Sequence, residues 1–178
     1  AYACDDRVPA VGDLAQAIFD AMAGADPPPA LSVEPGRSIV GRAGVALYTT
    51  GARKTIEGIR SYIAVDGGMA DNIRPALYGA RYTPLAATRM AEPPAGLVTV
   101  AGRYCESGDV LVRDALLPPL EPGDLLVIPA AGAYCLPMSS AYNAALRPAV
   151  AVVSAGTARL VQRRGAYADL LAYDVAGR

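Results

Sequence analysis

The sequence predicts a mainly β chain in two parts, a small α/β piece over residues 1–44 and a β domain over residues 45–178. Two observations predict this division. An amphipathic helix followed by a short apolar stretch precedes residue 44, which is typical of α/β folds. After that residue, short β-rich runs alternate with glycine and proline, which is typical of a β-barrel or β-sandwich. One helix and one strand cannot bury both faces of a sheet, so we expect the first piece to need further chain or a partner.

The α/β piece begins with a helix predicted over residues 11–24. Its apolar residues recur at helical spacing and form one stripe: Val11, Leu14, Ala15, Ile18, Phe19 and Met22. Gly24 is expected to end the helix, and Asp26 with three prolines predicts a turn. The next segment, LSVE at residues 31–34, is expected to be a short buried strand.

The β domain is predicted from seven short runs bounded by turn residues. They are VALYTT (45–50), SYIAVDGG (61–68), LVTVAG (97–102), DVLV (109–112), DLLVIPA (124–130), AVAVVSAG (149–156) and ARLVQRR (158–164). A final short helix is expected at YADLLAYD (167–174).

Composition limits the chemistry that this chain can perform. The net charge is −1 and no basic run occurs, so nucleic acid and anionic membranes are poor partners. The absence of histidine removes Ser-His-Asp and Cys-His catalysis and histidine-metal sites from this chain. No apolar run approaches about 18 residues, the length that predicts a membrane span. Cys4, Cys105 and Cys135 form no CxxC pair, which argues against a disulfide framework or zinc site and suits a reducing, cytoplasmic compartment.

The segment LSVEPGRSIV (31–40) places Glu34, Gly36 and Arg37 around a predicted turn. Glycine lets the backbone approach a ligand closely, and a cation at a helix start suits a phosphate. The alternative is a plain turn. The same EPG triplet recurs at residues 121–123, where we expect it only to connect two strands.

Two further segments offer side chains for a ligand. In VDGGMADNIRPALYGARY (65–82), Arg74 and Tyr78 are four residues apart and would share one face of a helical turn. A guanidinium and a phenol suit a carboxylate, although a solvated surface turn explains the pair as well. In GAYCLPMSSAYN (132–143), Tyr134 could line a pocket or simply pack against the core.

The segment RYCESGDVLV (103–112) places Cys105 directly beside Glu106. A single cysteine is most often a small buried apolar residue. Taken in order, however, EPGRSIV, DGGMADNIRPALYGARY, CESGDVL, GAYCLPMSSAYNAALRP and RLVQRRGAYADLL resemble the fold-type III pyridoxal-phosphate-dependent decarboxylases. The resemblance covers nearly the whole chain. CESGD discriminates best, because ornithine-type decarboxylases carry a different residue after the cysteine and alanine racemases lack this arrangement.

The resemblance implies an alanine-racemase-like TIM barrel followed by a C-terminal β domain. Residues 1–44 would hold the last helix and strand of the barrel. The implied cofactor is pyridoxal 5'-phosphate. Its Schiff-base lysine, glycine-rich loop and stacking histidine lie upstream in the family. Lys54 is the only lysine here and is expected at the surface. We therefore expect this chain to be inactive alone and to need the missing barrel segment.

The resemblance also implies a role for each site residue. Glu34 would face the pyridine nitrogen and keep it protonated, and Gly36, Arg37 and Tyr134 would contact the cofactor. Arg37, together with Arg74 and Tyr78, would bind the distal carboxylate of an amino-acid substrate.

In the family, the pair Cys105 and Glu106 reaches into the partner's active site, which implies a homodimer with shared sites. A cysteine thiol ordinarily keeps its proton near neutral pH, and an adjacent carboxylate disfavours the thiolate. Cys105 would therefore act as general acid, and Glu106 would accept the substrate's distal ammonium.

The implied reaction is decarboxylation of meso-2,6-diaminopimelate to L-lysine and carbon dioxide in lysine biosynthesis. One alternative is a decarboxylase of another diamino acid of the ornithine, lysine or carboxynorspermidine type, because the length of the substrate side chain cannot be read. The other is a non-catalytic β module kept for dimerisation. The presence of Cys105, Glu106, Arg74 and Tyr134 argues against a long-decayed module.

Overall fold

The protein is represented by a computed structural model that describes residues 2–175. Its helices are α1 (Val11–Met22), α2 (Gly36–Val40), α3 (Arg74–Tyr78) and α4 (Tyr167–Leu170). Its strands are β1 (Ala46–Ile56), β2 (Arg60–Val65), β3 (Leu85–Ala86), β4 (Gly96–Ala101), β5 (Val110–Leu117), β6 (Leu125–Ile128), β7 (Val150–Ser154) and β8 (Thr157–Gln162). The mainly β fold class is confirmed.

Six strands form one sheet in the order β3-β6-β1-β2-β4-β5. Strands β2 and β4 run parallel, while the other four neighbouring pairs are antiparallel. The last two strands, β7 and β8, form a separate antiparallel hairpin. A parallel pair needs a long connection, and the segment between β2 and β4 contains α3 and β3. That connection carries Arg74 and Tyr78.

The core is formed mainly by side chains of the six-stranded sheet. In β2 and β6, buried Ile63, Val65, Leu126 and Ile128 alternate with less buried neighbours. The cluster is completed by aromatic and aliphatic side chains of the other strands and loops: Tyr48, Tyr82, Ala86, Val100, Leu111, Val112, Ala115, Leu117 and Leu120. This packing fixes the strand ends from which the site loops leave.

The strand expected at residues 31–34 is wrong. Residues 31–35 carry no strand pairing to any part of the described chain, and Leu31 and Val33 are 50% and 62% exposed. A strand is stable only when its N–H and C=O groups pair with a neighbour. No described strand pairs with this segment, so its apolar residues stay exposed.

Helix α1 forms where it was expected and ends at Met22, two residues early, before Gly24 adopts a left-handed φ of 90°. None of its residues is buried. In the predicted apolar stripe, Val11, Leu14 and Phe19 are exposed, whereas Ala15, Ile18 and Met22 are partly buried. Helix α4 covers only the first part of the expected final helix. The pair Leu85–Ala86 was not predicted, because two residues show no periodicity. No helix in the described range is long and apolar enough to cross a membrane.

Candidate active site

The guanidinium of Arg74 lies among three tyrosine rings. Its central carbon is 4.9 Å from the ring centre of Tyr2, 5.2 Å from that of Tyr78 and 5.5 Å from that of Tyr134. The faces of these rings stabilise the cation without using its hydrogen-bond donors. Within residues 2–175, Nε of Arg74 is buried without a hydrogen-bond partner, and the side chain enters no salt bridge. The donors therefore remain available for an anionic ligand.

Local sequence explains how Arg74 is presented. The segment after β2 turns at Gly67 and Gly68, and Asn72 then accepts a hydrogen bond from the Arg74 backbone N–H at 3.3 Å. Asn72 is 1% exposed, so this start of α3 is firmly packed. Gly79 ends the helix in the left-handed conformation that glycine adopts readily. The prediction that Arg74 and Tyr78 share a face of a helical turn is confirmed.

Tyr2 links the second predicted arginine to this cluster. The Arg37 side chain donates a hydrogen bond to the Tyr2 hydroxyl at 3.3 Å, and its central carbon lies 5.5 Å from the ring centre. The hydrogen bond with Tyr2 raises the pKa of Arg37. Tyr2 also packs against Tyr82 with ring centres 5.2 Å apart. Nothing in AYACDD marked Tyr2, because its contacts are with residues far along the chain.

Tyr134 reaches the cluster from the segment that follows β6. Its backbone is held at a φ of 63°, an uncommon conformation for a non-glycine residue. The N–H groups of Ala131 and Gly132 donate to the carbonyls of Gly44 and Gly41 at 2.9 and 3.0 Å. A Cβ on either Gly44 or Gly132 would collide with the other backbone. This close contact ties the Tyr134 segment to the chain just after Arg37.

Cys105 and Glu106 lie elsewhere, in the loop between β4 and β5, and both are exposed. Glu106 accepts hydrogen bonds from Oγ of Ser107 and the N–H of Gly108, each at 3.3 Å. Cys105 borders a surface groove together with its own loop neighbours Arg103 and Tyr104 and with residues of two other segments: Asn143, Ala144, Ala145 and Tyr167. Within the described residues, no hydrogen bond, salt bridge or cation-aromatic contact joins this pair to the Arg74 cluster.

Glu34 and Gly36 are exposed, and Glu34 forms no hydrogen bond or salt bridge within residues 2–175. Gly36 opens α2 and faces free space, since a Cβ there would meet nothing within 4 Å. Lys54 lies exposed on β1, paired in the sheet with Tyr62. The Arg74 cluster thus offers two guanidiniums and several phenols, which fit the anionic groups of a phosphate-bearing cofactor and a carboxylate substrate. Glu34, three residues before Arg37, offers a carboxylate without a partner among residues 2–175.

Comparison with known proteins assigns this fold to a class. Residues 1–132 match the family model "Pyridoxal-dependent decarboxylase, C-terminal sheet domain". The chain therefore belongs to the pyridoxal-dependent decarboxylases.

Its curated relatives include two bacterial diaminopimelate decarboxylases. The protein of Bacillus subtilis is 50% identical over 147 residues, and that of Synechocystis is 46% identical over 178 residues. These matches cover 83% and 97% of this chain but only 34% and 38% of the relatives. The chain thus spans little more than a third of the length of these proteins.

Solved structures agree with these relatives. The structure of the diaminopimelate decarboxylase of M. jannaschii in complex with L-lysine matches with a TM-score of 0.87 and 35% identity. The match covers 99% of the present chain and 41% of the M. jannaschii chain. The Helicobacter pylori enzyme, also with L-lysine, matches with a TM-score of 0.83 and 32% identity. The lysine/ornithine decarboxylase of Vibrio vulnificus matches 61% of this chain with a TM-score of 0.52 and 24% identity, which supports the fold alone.

Proposed function

We propose that this chain is the C-terminal part of a cytoplasmic, homodimeric enzyme that decarboxylates meso-diaminopimelate to L-lysine. The single observation that carries the proposal is the Arg74 guanidinium, which is surrounded by tyrosine rings and lacks an acidic partner within residues 2–175. Relatives at 46% and 50% identity are diaminopimelate decarboxylases, and two structural relatives were solved with L-lysine.

Arg74 and Tyr78 are proposed to hold the distal carboxylate of the substrate. A guanidinium presents paired N–H donors in a plane, a geometry that matches the two oxygens of a carboxylate. The three ring centres lie 4.9–5.5 Å from the guanidinium carbon and help to hold this plane in position. Arg37 shares the Tyr2 ring with Arg74, so a second cation lies near the same anion.

The cofactor-facing residues are proposed to be Glu34, Gly36, Arg37 and Tyr134. Pyridoxal phosphate, when bound, supplies the electron sink for decarboxylation. Glu34 would hold a proton on the pyridine nitrogen, and it has no described partner that would neutralise it. Gly36 leaves open space, Arg37 supplies positive charge for the phosphate, and the half-exposed Tyr134 ring supplies a contact surface.

Cys105 is proposed as the general acid that delivers a proton to Cα after carbon dioxide leaves, with Glu106 binding the distal ammonium. Both side chains are exposed, and no described hydrogen bond or salt bridge joins them to the Arg74 cluster of their own chain. A partner copy that brings its Arg74 cluster to this loop would complete the site, which is why we propose a homodimer with shared active sites.

The experiment that tests this proposal joins the chain to the preceding part of the Bacillus subtilis relative, replacing the segment that it matches. We call the product the fused enzyme. The proposal expects carbon dioxide and L-lysine from meso-diaminopimelate, and little release from L-lysine or L-ornithine, whose side chains lack a distal carboxylate. A preference for L-ornithine or L-lysine would contradict the proposed substrate, and an inactive but folded fusion would contradict the proposed activity.

A further inference from the structure

The buried carboxylate of Asp109 connects two loops of the proposed site. Asp109 is 3% exposed and directly precedes β5, at the end of the turn that follows Glu106. One of its oxygens accepts a hydrogen bond from the backbone N–H of Met69, and the other accepts one from the N–H of Tyr104, each at 2.7 Å. Met69 lies in the segment that leads to Arg74, and Tyr104 directly precedes Cys105. The carboxylate therefore bridges the segments that carry the two proposed halves of the site.

Two glycines make room for this carboxylate. A Cβ on either Gly68 or Gly102 would overlap the oxygens of Asp109. The backbone strengthens the same junction, because the N–H of Gly102 donates to the Asp109 carbonyl at 2.9 Å and the N–H of Arg103 donates to the Gly67 carbonyl at 3.1 Å. A closely fitted, fully hydrogen-bonded carboxylate of this kind fixes its partners in one arrangement.

The surroundings of Asp109 explain its electrostatic state. Burial raises the pKa of its carboxyl above the usual value, and the N–H groups of Tyr104 and Met69 together with Arg103 act in the opposite direction. Glu106, the nearest acidic neighbour on the same loop, raises it slightly further. The two N–H donors therefore compensate part of the cost of burying a charge.

We propose that Asp109 is a positioning residue, whose carboxylate clamps the Cys105–Glu106 loop onto the segment that presents Arg74. This inference deepens the proposed function and rests on it for the catalytic consequence. In the proposed dimer, Cys105 of one chain serves the partner's active site, and Arg74 of the same chain serves its own. The clamp sets the distance between these two residues within the chain. Asparagine cannot replace it, because only one of its two terminal atoms accepts a hydrogen bond and its NH₂ would face a backbone N–H.

The first test measures amide hydrogen exchange by NMR on the 178-residue chain and needs no activity. In the unmodified chain, the amides of Met69 and Tyr104 should be protected, although both belong to loops. In Asp109→Asn, at least one of them should exchange at least about tenfold faster. The matched control is Asp124→Asn, because Asp124 also accepts a backbone N–H, that of Glu121 at 2.8 Å, in a turn far from this loop. It should accelerate the Glu121 amide and leave those of Met69 and Tyr104 unchanged.

The second test measures kcat and KM of the fused enzyme. Asp109→Asn should lower kcat at least about tenfold, because a small misplacement of a catalytic group is costly. Asp124→Asn should keep kcat within about twofold of the value for the unmodified fused enzyme. The comparison with Asp109→Asn is made after correcting for any difference in how far the two variants lower the melting temperature.

Unprotected amides at Met69 and Tyr104 in the unmodified chain would overturn the inference, even if Asp109→Asn did not fold. Equal kcat values for the two folded variants would also overturn it. An inactive unmodified fusion would instead contradict the proposed function, and the exchange result would still decide whether Asp109 clamps the loops.

Discussion

The guanidinium carbon of Arg74 lies 5.5 Å from the ring centre of Tyr134, although Arg74 follows β2 and Tyr134 follows β6. Strand β1 separates these two strands in the sheet, so only the connecting segments can bring the residues together. The contact assembles residues from three distant parts of the sequence, since Tyr2 joins it from the N-terminal segment. This contact is the structural basis for the proposal that the Arg74 cluster binds an anion.

Replacing Arg74 should weaken substrate binding more than it slows the chemical step. In the fused enzyme, Arg74→Lys should raise KM for meso-diaminopimelate about tenfold to a hundredfold, because a charged hydrogen bond contributes about 1.5–3 kcal/mol and lysine cannot present a planar pair of donors. Steady-state kinetics measures this. Arg113→Lys, on the exposed face of β5, is the control and should leave KM unchanged. Equal KM values for both variants would remove Arg74 from the substrate site.

Tyr2 allows the contributions of ring and hydroxyl to be separated. Tyr2→Phe removes the acceptor for Arg37 but keeps the ring beneath Arg74, and should cost about 0.5–1.5 kcal/mol of substrate binding. Tyr2→Leu removes both the hydroxyl and the ring. It should therefore cost about 0.5–2 kcal/mol more of substrate binding, because the cation-aromatic contact with Arg74 is also lost. Substrate KM in the fused enzyme reports both losses. If the leucine variant were no worse than the phenylalanine variant, the ring would have no role in holding Arg74.

Lys54 should not form a covalent link with the cofactor. It lies exposed on β1, and the proposed cofactor-facing residues are in other segments. We expect the isolated chain, mixed with pyridoxal phosphate and reduced with borohydride, to show no stoichiometric adduct by intact mass. The Lys54→Arg variant, treated in the same way, gives the background level of adduct formed at other amines. A stoichiometric adduct that disappears in this variant would show that the cofactor assignment is wrong.

Asp124 should make the folding stability of the chain depend on pH in the acidic range. The N–H of Glu121, followed by the Arg89 side chain, lowers the pKa of Asp124 below its usual value. A carboxylate with a lowered folded pKa contributes stability that is present above the unfolded pKa, and this contribution is lost as pH falls through the folded value. Asp124→Asn should therefore lower the melting temperature at pH 7 and flatten its decline below about pH 4.

The matched control for this experiment is Glu57→Gln, since Glu57 is exposed between β1 and β2. It should reproduce the melting temperatures of the unmodified chain across the titration. A parallel decline for Asp124→Asn and the unmodified chain would show that this carboxylate has no part in acid unfolding.

Sequence patterns predicted the β domain well, because each of its longer strands alternates or clusters apolar residues between turn signals. They also predicted the shared helical face of Arg74 and Tyr78, since that spacing is local. The strand at residues 31–34 was predicted wrongly for the converse reason. Its apolar composition was correct for a strand, but strand formation depends on a neighbour that local sequence does not reveal.

The residues that sequence reasoning missed act through long-range contacts. Tyr2 holds two arginines from other segments, and Asp109 receives its hydrogen bonds from Met69 and Tyr104. Within CESGD, Cys105 and Glu106 stand out by their reactive groups, whereas the hydrogen bonds of Asp109 form only in the folded chain. The division at residue 44, the roles of the individual site residues and the dimer stay predictions, and each depends on parts of the assembly outside this chain.

Mixing two impaired variants of the fused enzyme tests the central claim most directly, namely that Cys105 of one copy serves the Arg74 cluster of another. Cys105→Ala and Arg74→Lys should each have low activity with meso-diaminopimelate at subsaturating concentration. If the sites are shared between subunits, mixed dimers contain one site with both groups intact, and activity should rise toward about a quarter of the unmodified value in an equal, fully exchanged mixture. Activity that stays at the average of the two variants would contradict the account and place both residues in one chain's site.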